Sequence, residues 1–473
     1  MPVPGVRATM RPRRREIGPD GFRGWGGQSD PRAMQTLRDR ATGIVRRLRE
    51  AGFEAYFAGG CVRDQLLGRE AEDYDIATSA PPPRVQELFP HTVPVGIQFG
   101  VILVLEDGAP FEVATFRSDG IYLDGRHPVA VHFGTAEADA RRRDFTINGI
   151  FFDPLAGTVI DYVGGQADLR AGVVRAIGDP AERLSEDRLR MIRAVRFAAR
   201  FGFEIDAGTL AAIRKEARAI TEVAWERIGE EIVKILTEGA ARRGFELLDG
   251  AGLLRAVLPE IAALAGVAQS ADYHPEGDVL VHTLLLLEQL PAGSRETLAL
   301  GGLLHDVAKP ACAAERDGRI TFYGHCERGA EMALEICRRL RRSRDVGNRV
   351  AYLVKNHLRL VQAAEMRPAT LKRMLREEGF DELLELARLD ALASNGNLRH
   401  VEFCKAKLLE LGEEAIRPEP FVRGRDLIAM GYEPGTHFAK ILEAVETAQL
   451  DGAVRSREEA EAWVRERYPL TRR

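Results

Sequence analysis

The sequence of 473 residues lacks any apolar run approaching the roughly 18 residues that span a bilayer, and its N-terminus lacks the apolar core of a secretory signal. We therefore expect a cytoplasmic protein with no membrane partner. Cysteine is also scarce. The five cysteines are odd in number, dispersed and without a C-x-x-C pair, which argues against a disulfide framework and against a thiolate zinc site.

The sequence has no strong net charge, because its formal net charge is −4. Any nucleic-acid partner must therefore bind local basic surfaces. One such surface is residues 1–33, where arginines stand among glycines and prolines without apolar periodicity. We expect this segment to be disordered. It could hold RNA loosely, or it could reflect a start codon assigned too far upstream.

Folded structure is predicted from Met34, where an amphipathic helix runs to a C-terminal cap at Gly52. The next hundred residues alternate short strand-like runs with Asp-Gly turns, and beyond about Gly172 most segments have helical patterns. The sequence therefore predicts an α/β head followed by an all-α remainder. The predicted divisions are a head (34–172), a neck (173–265), a body (266–400) and a tail (401–473).

Two aspartates close together stand out in FAGGCVRDQLLGREAEDYDIATSA, which begins at Phe57. On a strand, Asp73 and Asp75 project from the same face, so both carboxylates enter one site. Their repulsion is relieved by a divalent cation, and hard oxygen ligands suit Mg²⁺. This is the ligand set of two-metal phosphoryl transfer. The pattern predicts Asp73 and Asp75 as catalytic magnesium ligands.

Neighbouring residues add features suited to a triphosphate. Gly59 and Gly60 let the backbone approach phosphates without a Cβ, and Arg63 offers a planar set of donors. A simple turn is the alternative reading of the two glycines. Glu112 lies in an alternating strand pattern, PFEVATFR, and is either a third catalytic carboxylate or a surface strand residue.

The stretch SEDRLRMIRAVRFAARFGF predicts a helix that starts with Ser185 as its N-cap. At about 100° per residue, a charged arc of about 120° forms on this helix. Its members are Glu186, Arg190, Arg193, Arg196 and Arg200. The alternative is a solvated face with i,i+4 ion pairs, but the excess positive charge suits a triphosphate or an RNA backbone.

The helical part carries an ordered set of histidines and aspartates: His282, His305, Asp306, His325, His357 and Asp390. Imidazole and carboxylate at these positions could bind one or two transition-metal ions, and a bridging water could attack a phosphoester. The alternative is a set of residues retained for stability alone. The order H…HD…H…H…D resembles the HD metal-dependent phosphohydrolase superfamily.

The head and neck motifs together resemble the nucleotidyltransferase superfamily that includes DNA polymerase beta. Within it they are similar to class II tRNA nucleotidyltransferases and bacterial poly(A) polymerases. The matching stretches after the aspartate pair are RRDFTIN (142–148), DYVGGQADL (161–169), the helix from Ser185, and WERIGEEIVKIL from Trp225. This resemblance implies a polymerase-beta-like head with a helical neck, body and tail.

The resemblance also implies residue roles. Asp187 and Arg190 correspond to the residues that recognise the incoming base. A carboxylate accepting from an exocyclic amine and a guanidinium donating to a ring nitrogen would select cytosine and adenine over uracil and guanine. The other implied nucleotide-binding residues are Arg143 and Asp144 on the head side, and Arg193 and Arg196, which contact phosphate or organise the pocket.

The bacterial poly(A) polymerases carry Val-Gly-Arg-Arg-Phe-Arg-Leu after their metal motif, whereas this chain has PVGIQFGVILV from Pro94. We therefore favour addition of CMP and AMP, from CTP and ATP, to tRNA 3′ ends with Mg²⁺. The loop from Ser118, with His127 in place of a more usual arginine, resembles the flexible loop of full CCA-adding enzymes.

Alternatives to CCA addition are poly(A) polymerase, a CC- or A-adding enzyme, an HD phosphohydrolase with an RNA-binding head, and a non-catalytic RNA-binding protein. The HD resemblance implies phosphodiesterase or phosphatase activity on RNA ends with Ni²⁺, Mn²⁺ or a similar ion. The oligomeric state stays open.

Overall fold

The computed structural model describes residues 36–119, 131–269, 277–316 and 319–470. The basic segment 1–33 and residues 120–130, which include His127, lie outside these ranges. Among the described helices, none is long and apolar enough to cross a bilayer.

The first helix, α1 (Leu37–Glu50), confirms the predicted amphipathic helix and begins three residues after Met34. Thr36 Oγ1 accepts from Asp39 N at 3.2 Å, and Asp39 Oδ2 accepts from Thr36 N at 3.1 Å. This reciprocal capping box satisfies two backbone N–H groups at the helix start. The helix ends just before Gly52, whose φ of 88° suits glycine.

The head is an α/β domain around a seven-stranded sheet of order β3-β4-β5-β2-β1-β8-β9. Its strands are β1 (Ala55–Ala58), β2 (Asp75–Thr78), β3 (Thr92–Gly96), β4 (Val101–Glu106), β5 (Ala109–Thr115), β6 (Arg117–Asp119), β7 (Val131–Phe133), β8 (Ile150–Asp153) and β9 (Thr158–Asp161). Its further helices are α2 (Gly60–Leu66), α3 (Pro82–Leu88), α4 (Ala136–Arg141) and α5 (Gly165–Ala171). Strands β6 and β7 pair separately from the main sheet.

The aspartate pair lies at one end of the central strands. Asp75 opens β2 and pairs with Ala58, the last residue of β1. Asp73 precedes the strand, so the expectation that both aspartates lie in a strand is correct only for Asp75. The reason is that β1 ends where Gly59, at φ 72°, turns the chain into α2 and leaves no strand beside Asp73.

A tight turn joins the head to the neck. The carboxylate of Asp161 accepts four backbone hydrogen bonds of 2.9–3.1 Å from residues 163–166, at the start of α5. Gly165 packs so closely that a Cβ there would lie 2.1 Å from Thr146 O. The aspartate and the glycine therefore hold α5 against the head.

The neck is helical, with one short parallel ladder. Its elements are β10 (Val173–Val174), α6 (Pro180–Glu186), α7 (Arg190–Phe201), β11 (Glu204–Ile205), α8 (Ala207–Glu216), α9 (Trp225–Thr237), α10 (Ala241–Gly250), α11 (Leu253–Val257) and α12 (Pro259–Ala262). The helix predicted from Ser185 starts instead at Arg190, and Ser185 belongs to α6. Asp179 caps α6 by accepting from Glu182 N at 3.0 Å, and the following proline favours a helix start there.

The body and tail follow as packed helices. They are α13 (Val279–Glu288), α14 (Glu296–Leu304), α15 (Lys309–Cys312), α16 (His325–Arg339), α17 (Arg344–Asn356), α18 (Pro368–Leu375), α19 (Phe380–Ala393), α20 (Arg399–Ile416), α21 (Gly424–Ala429), α22 (His437–Leu450) and α23 (Arg457–Arg467). A small hairpin, β12 (Ala314–Arg316) with β13 (Arg319–Thr321), interrupts them. Short 3₁₀ turns occupy Ile97–Phe99, Thr146–Asn148, Ala217–Glu222 and Arg359–Glu365.

One apolar core extends from α1 in the head, through the neck, to α20, whereas the last three helices have a smaller core of their own. The shared core fixes α7 against the head, and this contact forms the cleft described next. The predicted fold class is confirmed, with the two short ladders as the departure from an all-α neck and body.

Candidate active site and metal centre

A cleft of about 560 Å³ separates the head sheet from helix α7. It is lined by all but one of the head and neck site residues predicted from the sequence: Gly59, Gly60, Arg63, Asp73, Asp75, Arg143, Asp144, Asp187, Arg190, Arg193 and Arg196. Glu112 is the exception. Arg200, expected on the charged arc of the neck helix, also lines the cleft, whereas Asn148 and Phe197 are lining residues that the sequence reasoning missed although each stands inside a motif quoted above.

The acidic side of the cleft is built by the aspartate pair and a neighbouring strand. Strand β5 runs parallel to β2 with Ile76 opposite Val113, which places Glu112 beside Asp75. Burial, together with the charges of Asp73 and Glu112, raises the pKa of Asp75 to about 6. Crowded carboxylates of this kind form a donor set that fits a divalent cation with hard oxygen ligands.

The glycine turn at Gly59 brings backbone close to two charged side chains. A Cβ at this position would lie 3.0 Å from Arg143 Nη1 and 3.8 Å from Asp75 Oδ2. Arg143 is held by Asp139, with Nη2 3.0 Å from its Oδ2. A side chain at position 59 would therefore fill the space between the arginine and the carboxylates.

Arg63 lines the cleft but is buried and held by neighbouring side chains. Its Nη1 donates to Asn148 Oδ1 at 2.7 Å and its Nε donates to Asp64 Oδ1 at 2.9 Å. The guanidinium also lies 4.6 Å from the centre of the Phe201 ring. These contacts fix the start of α2 to the motif around Asn148.

Asp144 joins the head to the neck helix. Its Oδ2 accepts from Arg193 Nη2 at 2.7 Å and from Nε at 2.9 Å, and its Oδ1 accepts from Asn148 Nδ2 at 2.9 Å. Burial opposes ionisation, but the Arg193 charge and the Asn148 hydrogen bond lower the pKa of Asp144 to about 2. This ion pair, in which two nitrogens of Arg193 donate to one oxygen of Asp144, sets the position of α7 against the head.

Arg196 is 6% exposed and is paired within the neck. Its Nε donates to Glu231 Oε2 at 2.7 Å, and its Nη1 donates to Glu238 Oε1 at 3.0 Å, both on or next to α9. The ring of Phe197 lies 4.3 Å from the guanidinium. Of the two roles implied for Arg196, these contacts favour organising the pocket.

Asp187 and Arg190 face the cleft from the break between α6 and α7. Asp187 Oδ2 accepts from Arg227 Nη2 at 2.7 Å, and Asp187 Oδ1 accepts from Leu189 N at 3.1 Å. Arg190 Nη1 donates to Glu186 Oε2 at 2.5 Å. The sequence reasoning did not identify Arg227 as a site residue, although it lies in the motif WERIGEEIVKIL. These partners hold a carboxylate and a guanidinium at the lining of the same cleft.

A second cluster forms in the body. It contains the complete predicted set of metal-ligating residues: His282, His305, Asp306, His325, His357 and Asp390. They come from five different helical segments between α13 and α19. His282 Nε2 lies 3.0 Å from Asp390 Oδ1 and 3.2 Å from His305 Nε2.

Asp306 lies between two halves of this cluster. One half contains His282, His305 and Asp390, and the other contains His325 and His357. Its Oδ2 lies 3.0 Å from His305 Nε2 and 3.9 Å from His282 Nε2. Its Oδ1 lies 3.6 Å from His325 Nε2 and 3.8 Å from His357 Nε2. Burial opposes ionisation, but the charges of His305 and Lys309 hold the pKa of Asp306 well below its usual range. One carboxylate oxygen therefore faces each half.

The imidazoles are oriented for metal binding. In His305, His325 and His357, Nδ1 lies 2.7–2.8 Å from the carbonyl oxygen three residues earlier, which directs Nε2 into the cluster. Burial and the charge of His305 lower the pKa of His357 to about 4, so its ring is neutral at neutral pH. Its buried Nε2 has no hydrogen-bond partner among the described residues. These donors fit one or two transition-metal ions.

Two further residues, which the sequence reasoning missed, approach the cluster. Lys309 Nζ lies 2.7 Å from Asp306 Oδ2. Cys326 follows His325 directly, and its Sγ lies 3.6 Å from His325 Nε2. The sequence signal that could have identified both is a position within three residues of an expected metal-binding residue.

Comparison with known families matches three segments of the chain. Residues 55–175 match the "Poly A polymerase head domain", residues 202–264 match the "Probable RNA and SrmB- binding site of polymerase A", and residues 277–394 match the "HD domain". The chain is therefore similar to a poly(A) polymerase head domain, a polymerase RNA-binding region and an HD domain, in that order. The family resemblance expected from the motifs is thereby confirmed, including the HD domain.

Curated relatives match the chain over part of its length. A CCA-adding enzyme of Limosilactobacillus fermentum is 46% identical over 202 residues, 42% of this chain and 50% of the relative. A CCA-adding enzyme of Geobacillus kaustophilus is 43% identical over 239 residues, 50% of this chain and 59% of the relative. The matched region thus spans about half to three-fifths of the length of these relatives.

Solved structures of the family match over nearly the whole chain. A Bacillus stearothermophilus CCA-adding enzyme in complex with CTP has a TM-score of 0.61 at 28% identity, covering 92% of this chain and 98% of that one. A Thermotoga maritima CCA-adding enzyme complexed with tRNA has a TM-score of 0.58 at 21% identity, covering 91% and 97%. At 21% identity, the similarity to the Thermotoga maritima enzyme shows only that the fold is shared.

Proposed function

We propose that the protein is a template-independent nucleotidyltransferase that adds CMP and AMP, from CTP and ATP, to the 3′ ends of tRNA. One observation carries this proposal: a single cleft contains the carboxylate pair Asp73 and Asp75 and, opposite it, the Asp187 and Arg190 pair. The curated relatives and the related CTP-bound structure, all CCA-adding enzymes, support it. The expected cytoplasmic location stays a prediction.

The head side of the cleft performs the phosphoryl transfer. Asp73 and Asp75 would hold Mg²⁺, with Glu112 beside Asp75, and bound metal would lower the pKa of the terminal ribose hydroxyl and neutralise the leaving pyrophosphate. Asp75 would bind in its carboxylate form, which burial makes unfavourable without a cation. Gly59 and Arg143 leave room and positive charge for the triphosphate.

The neck side of the cleft selects the base. The Asp187 carboxylate accepts from the N4 amine of cytosine or the N6 amine of adenine, while Arg190 donates to the adjacent ring nitrogen. Uracil and guanine present the opposite order of donor and acceptor, so each would leave these charged groups unpaired. Arg227 and Glu186 hold the two side chains in position before the nucleotide enters.

Primer extension tests the product. A tRNA ending before CCA is incubated with the protein, Mg²⁺ and CTP, ATP, UTP or GTP, singly and mixed, and product length is measured on a sequencing gel. Extension of the tRNA that stops after CCA supports the proposal. A long A tail would indicate a poly(A) polymerase, a stop after CC or a single A would indicate a specialised enzyme, and no growth would contradict nucleotidyl transfer.

Substitutions in the neck test base selection. Asp187→Ala should reduce the preference for CTP over UTP by at least about tenfold, since the paired donor and acceptor pattern is lost. Arg188→Ala is the matched control, because Arg188 lies next to Asp187 but pairs with Glu216 at 3.3 Å and Glu222 at 2.9 Å. An unchanged CTP preference in Asp187→Ala would contradict the assigned role.

For the body we propose a phosphohydrolase activity on RNA ends, because six metal-binding side chains converge there. The test substrate is an RNA ending in a 2′,3′-cyclic phosphate, incubated with protein loaded with Ni²⁺ or Mn²⁺. His305→Ala should abolish hydrolysis and keep nucleotide addition, whereas Asp75→Ala should do the reverse. An RNA end left intact by the loaded wild-type protein would refute this activity.

A further inference from the structure

The half of the body cluster that contains His325 and His357 includes a sulfur atom. Cys326 Sγ lies 3.6 Å from His325 Nε2 and 4.0 Å from His357 Nδ1. One donor atom from each of these three residues lies within 4.8 Å of the other two. The HD pattern of histidines and aspartates does not account for this cysteine.

The fold places the thiol there by joining two helix ends. Gly324, at φ 81°, turns the chain so that His325 and Cys326 are the first two residues of α16. His357 directly follows α17, the antiparallel partner of α16. The half-site therefore lies at one end of a helical hairpin, where the thiol can face the imidazoles.

Two other buried atoms in this half-site have no hydrogen-bond partner among the described residues. His357 is 2% exposed and its Nε2 has no hydrogen-bond partner among the described residues. Asp306, also 2% exposed, directs Oδ1 toward the same space without a hydrogen bond there. A buried acceptor without a donor is costly, and a cation between these atoms would satisfy both.

We propose that Cys326 is a metal ligand, which adds one thiolate to the half-site where Nε2 of His325 and Nε2 of His357 lie 3.6 Å and 3.8 Å from Asp306 Oδ1. A tetrahedral site with bonds of about 2.0–2.1 Å to nitrogen and about 2.3 Å to sulfur separates the two atoms by about 3.6 Å. The separation of His325 Nε2 and Cys326 Sγ is 3.6 Å before any adjustment. The inference rests on metal binding by the body, and not on which reaction the body performs.

A thiolate changes which ion this half-site accepts. Sulfur favours Zn²⁺, Co²⁺ and similar ions over Mn²⁺ and Mg²⁺, whereas the other half, with His282, His305 and Asp390, offers nitrogen and oxygen alone. The two halves should therefore differ in metal preference. We expect Cys326→Ser to weaken Co²⁺ binding at its own half-site by at least about tenfold and to leave the other half-site nearly unchanged.

Optical titration of the full-length protein with Co²⁺ tests the assignment. A thiolate ligand produces a sulfur-to-cobalt charge-transfer band in the near ultraviolet, and carboxylate and imidazole ligands do not. The wild type should show this band at one equivalent per chain. Cys326→Ser and Cys326→Ala should lack it, with circular dichroism establishing that both variants are folded.

Cys312→Ser is the matched control. Cys312 is also partly exposed and lies in the same domain, but it does not belong to the metal-binding groups found among the described residues. The control should keep the band. Bound Co²⁺ without a charge-transfer band, or a band that survives in Cys326→Ser, would overturn the assignment and leave the body's metal centre intact. Failure of the wild type to bind Co²⁺ in the body would overturn the assignment and the proposed hydrolase together.

Discussion

Replacing Asp75 with asparagine should stabilise the metal-free protein while it abolishes nucleotide addition. In the fold, burial and the neighbouring carboxylates raise the pKa of Asp75 from 3.8 to about 6. At about 1.36 kcal/mol for each pKa unit, the charged form costs the folded state about 3 kcal/mol at neutral pH. Asparagine keeps the shape of the side chain and removes this charge.

The pH dependence follows from the direction of the pKa change. Below about pH 4, the carboxyl is protonated in both states, and the substitution should change the free energy of unfolding little. As pH rises through about 6, the wild type loses the stability that depended on the bound proton, and the variant does not. The advantage of Asp75→Asn should therefore grow from near zero at pH 4 to about 3 kcal/mol at pH 7.

Thermal unfolding in a chelating buffer between pH 4 and pH 8 measures this difference. Saturating Mg²⁺ should cancel it, since a ligand at one hundred times its dissociation constant stabilises the wild type by about 2.7 kcal/mol. Asp73→Asn is the matched control. Asp73→Asn should also abolish nucleotide addition, because it removes an expected metal ligand. Because Asp73 is exposed, this substitution should change the free energy of unfolding less than Asp75→Asn does. A stability difference for Asp75→Asn that is independent of pH, or destabilisation at pH 7, would refute the reasoning.

Two further substitutions test the contacts that hold the neck. Arg193→Ala removes the cation that pairs with the buried carboxylate of Asp144 and should lower the free energy of unfolding by about 3–5 kcal/mol. Arg200→Ala loses a longer ion pair and should change it by less than about 1 kcal/mol. Chemical denaturation compares them, and equal effects would contradict the assigned strength of the Asp144 pair. Gly229→Ala would place a Cβ 2.3 Å from a backbone oxygen at the end of α16 and should destabilise the neck–body contact by about 1–3 kcal/mol. Gly43→Ala, in open space within α1, should stabilise by about 0.5–1 kcal/mol, and a similar sign for both glycines would refute the packing argument.

Local signals in the sequence predicted much of the fold. The amphipathic pattern between Met34 and Gly52 identified α1 because a helix start, an apolar face and a terminating glycine all lie within nineteen residues. The prediction of a helix that starts at Ser185 was wrong because local signals there compete. Two N-cap signals, Asp179 and Ser185, stand six residues apart, and the proline after Asp179 favours the earlier start.

Partners across the fold could not be predicted in this way. Asp187 and Arg227 are separated by 40 residues, and Asp144 and Arg193 by 49. Charged residues are common in all four segments, so the sequence offers no reason to prefer one pairing. The pairings depend on how α7 packs between the head and α9.

The sequence by itself determined the kinds of chemistry available: paired carboxylates beside a glycine turn, an arginine-rich helix, and an ordered set of histidines and aspartates. These follow from residue type and short spacing, which local geometry fixes. Only the tertiary structure decided that the carboxylates of the head face Asp187 and Arg190 across one cleft. It also decided that Cys326 lies beside His357, because packing of α16 against α17 unites residues that are 31 positions apart.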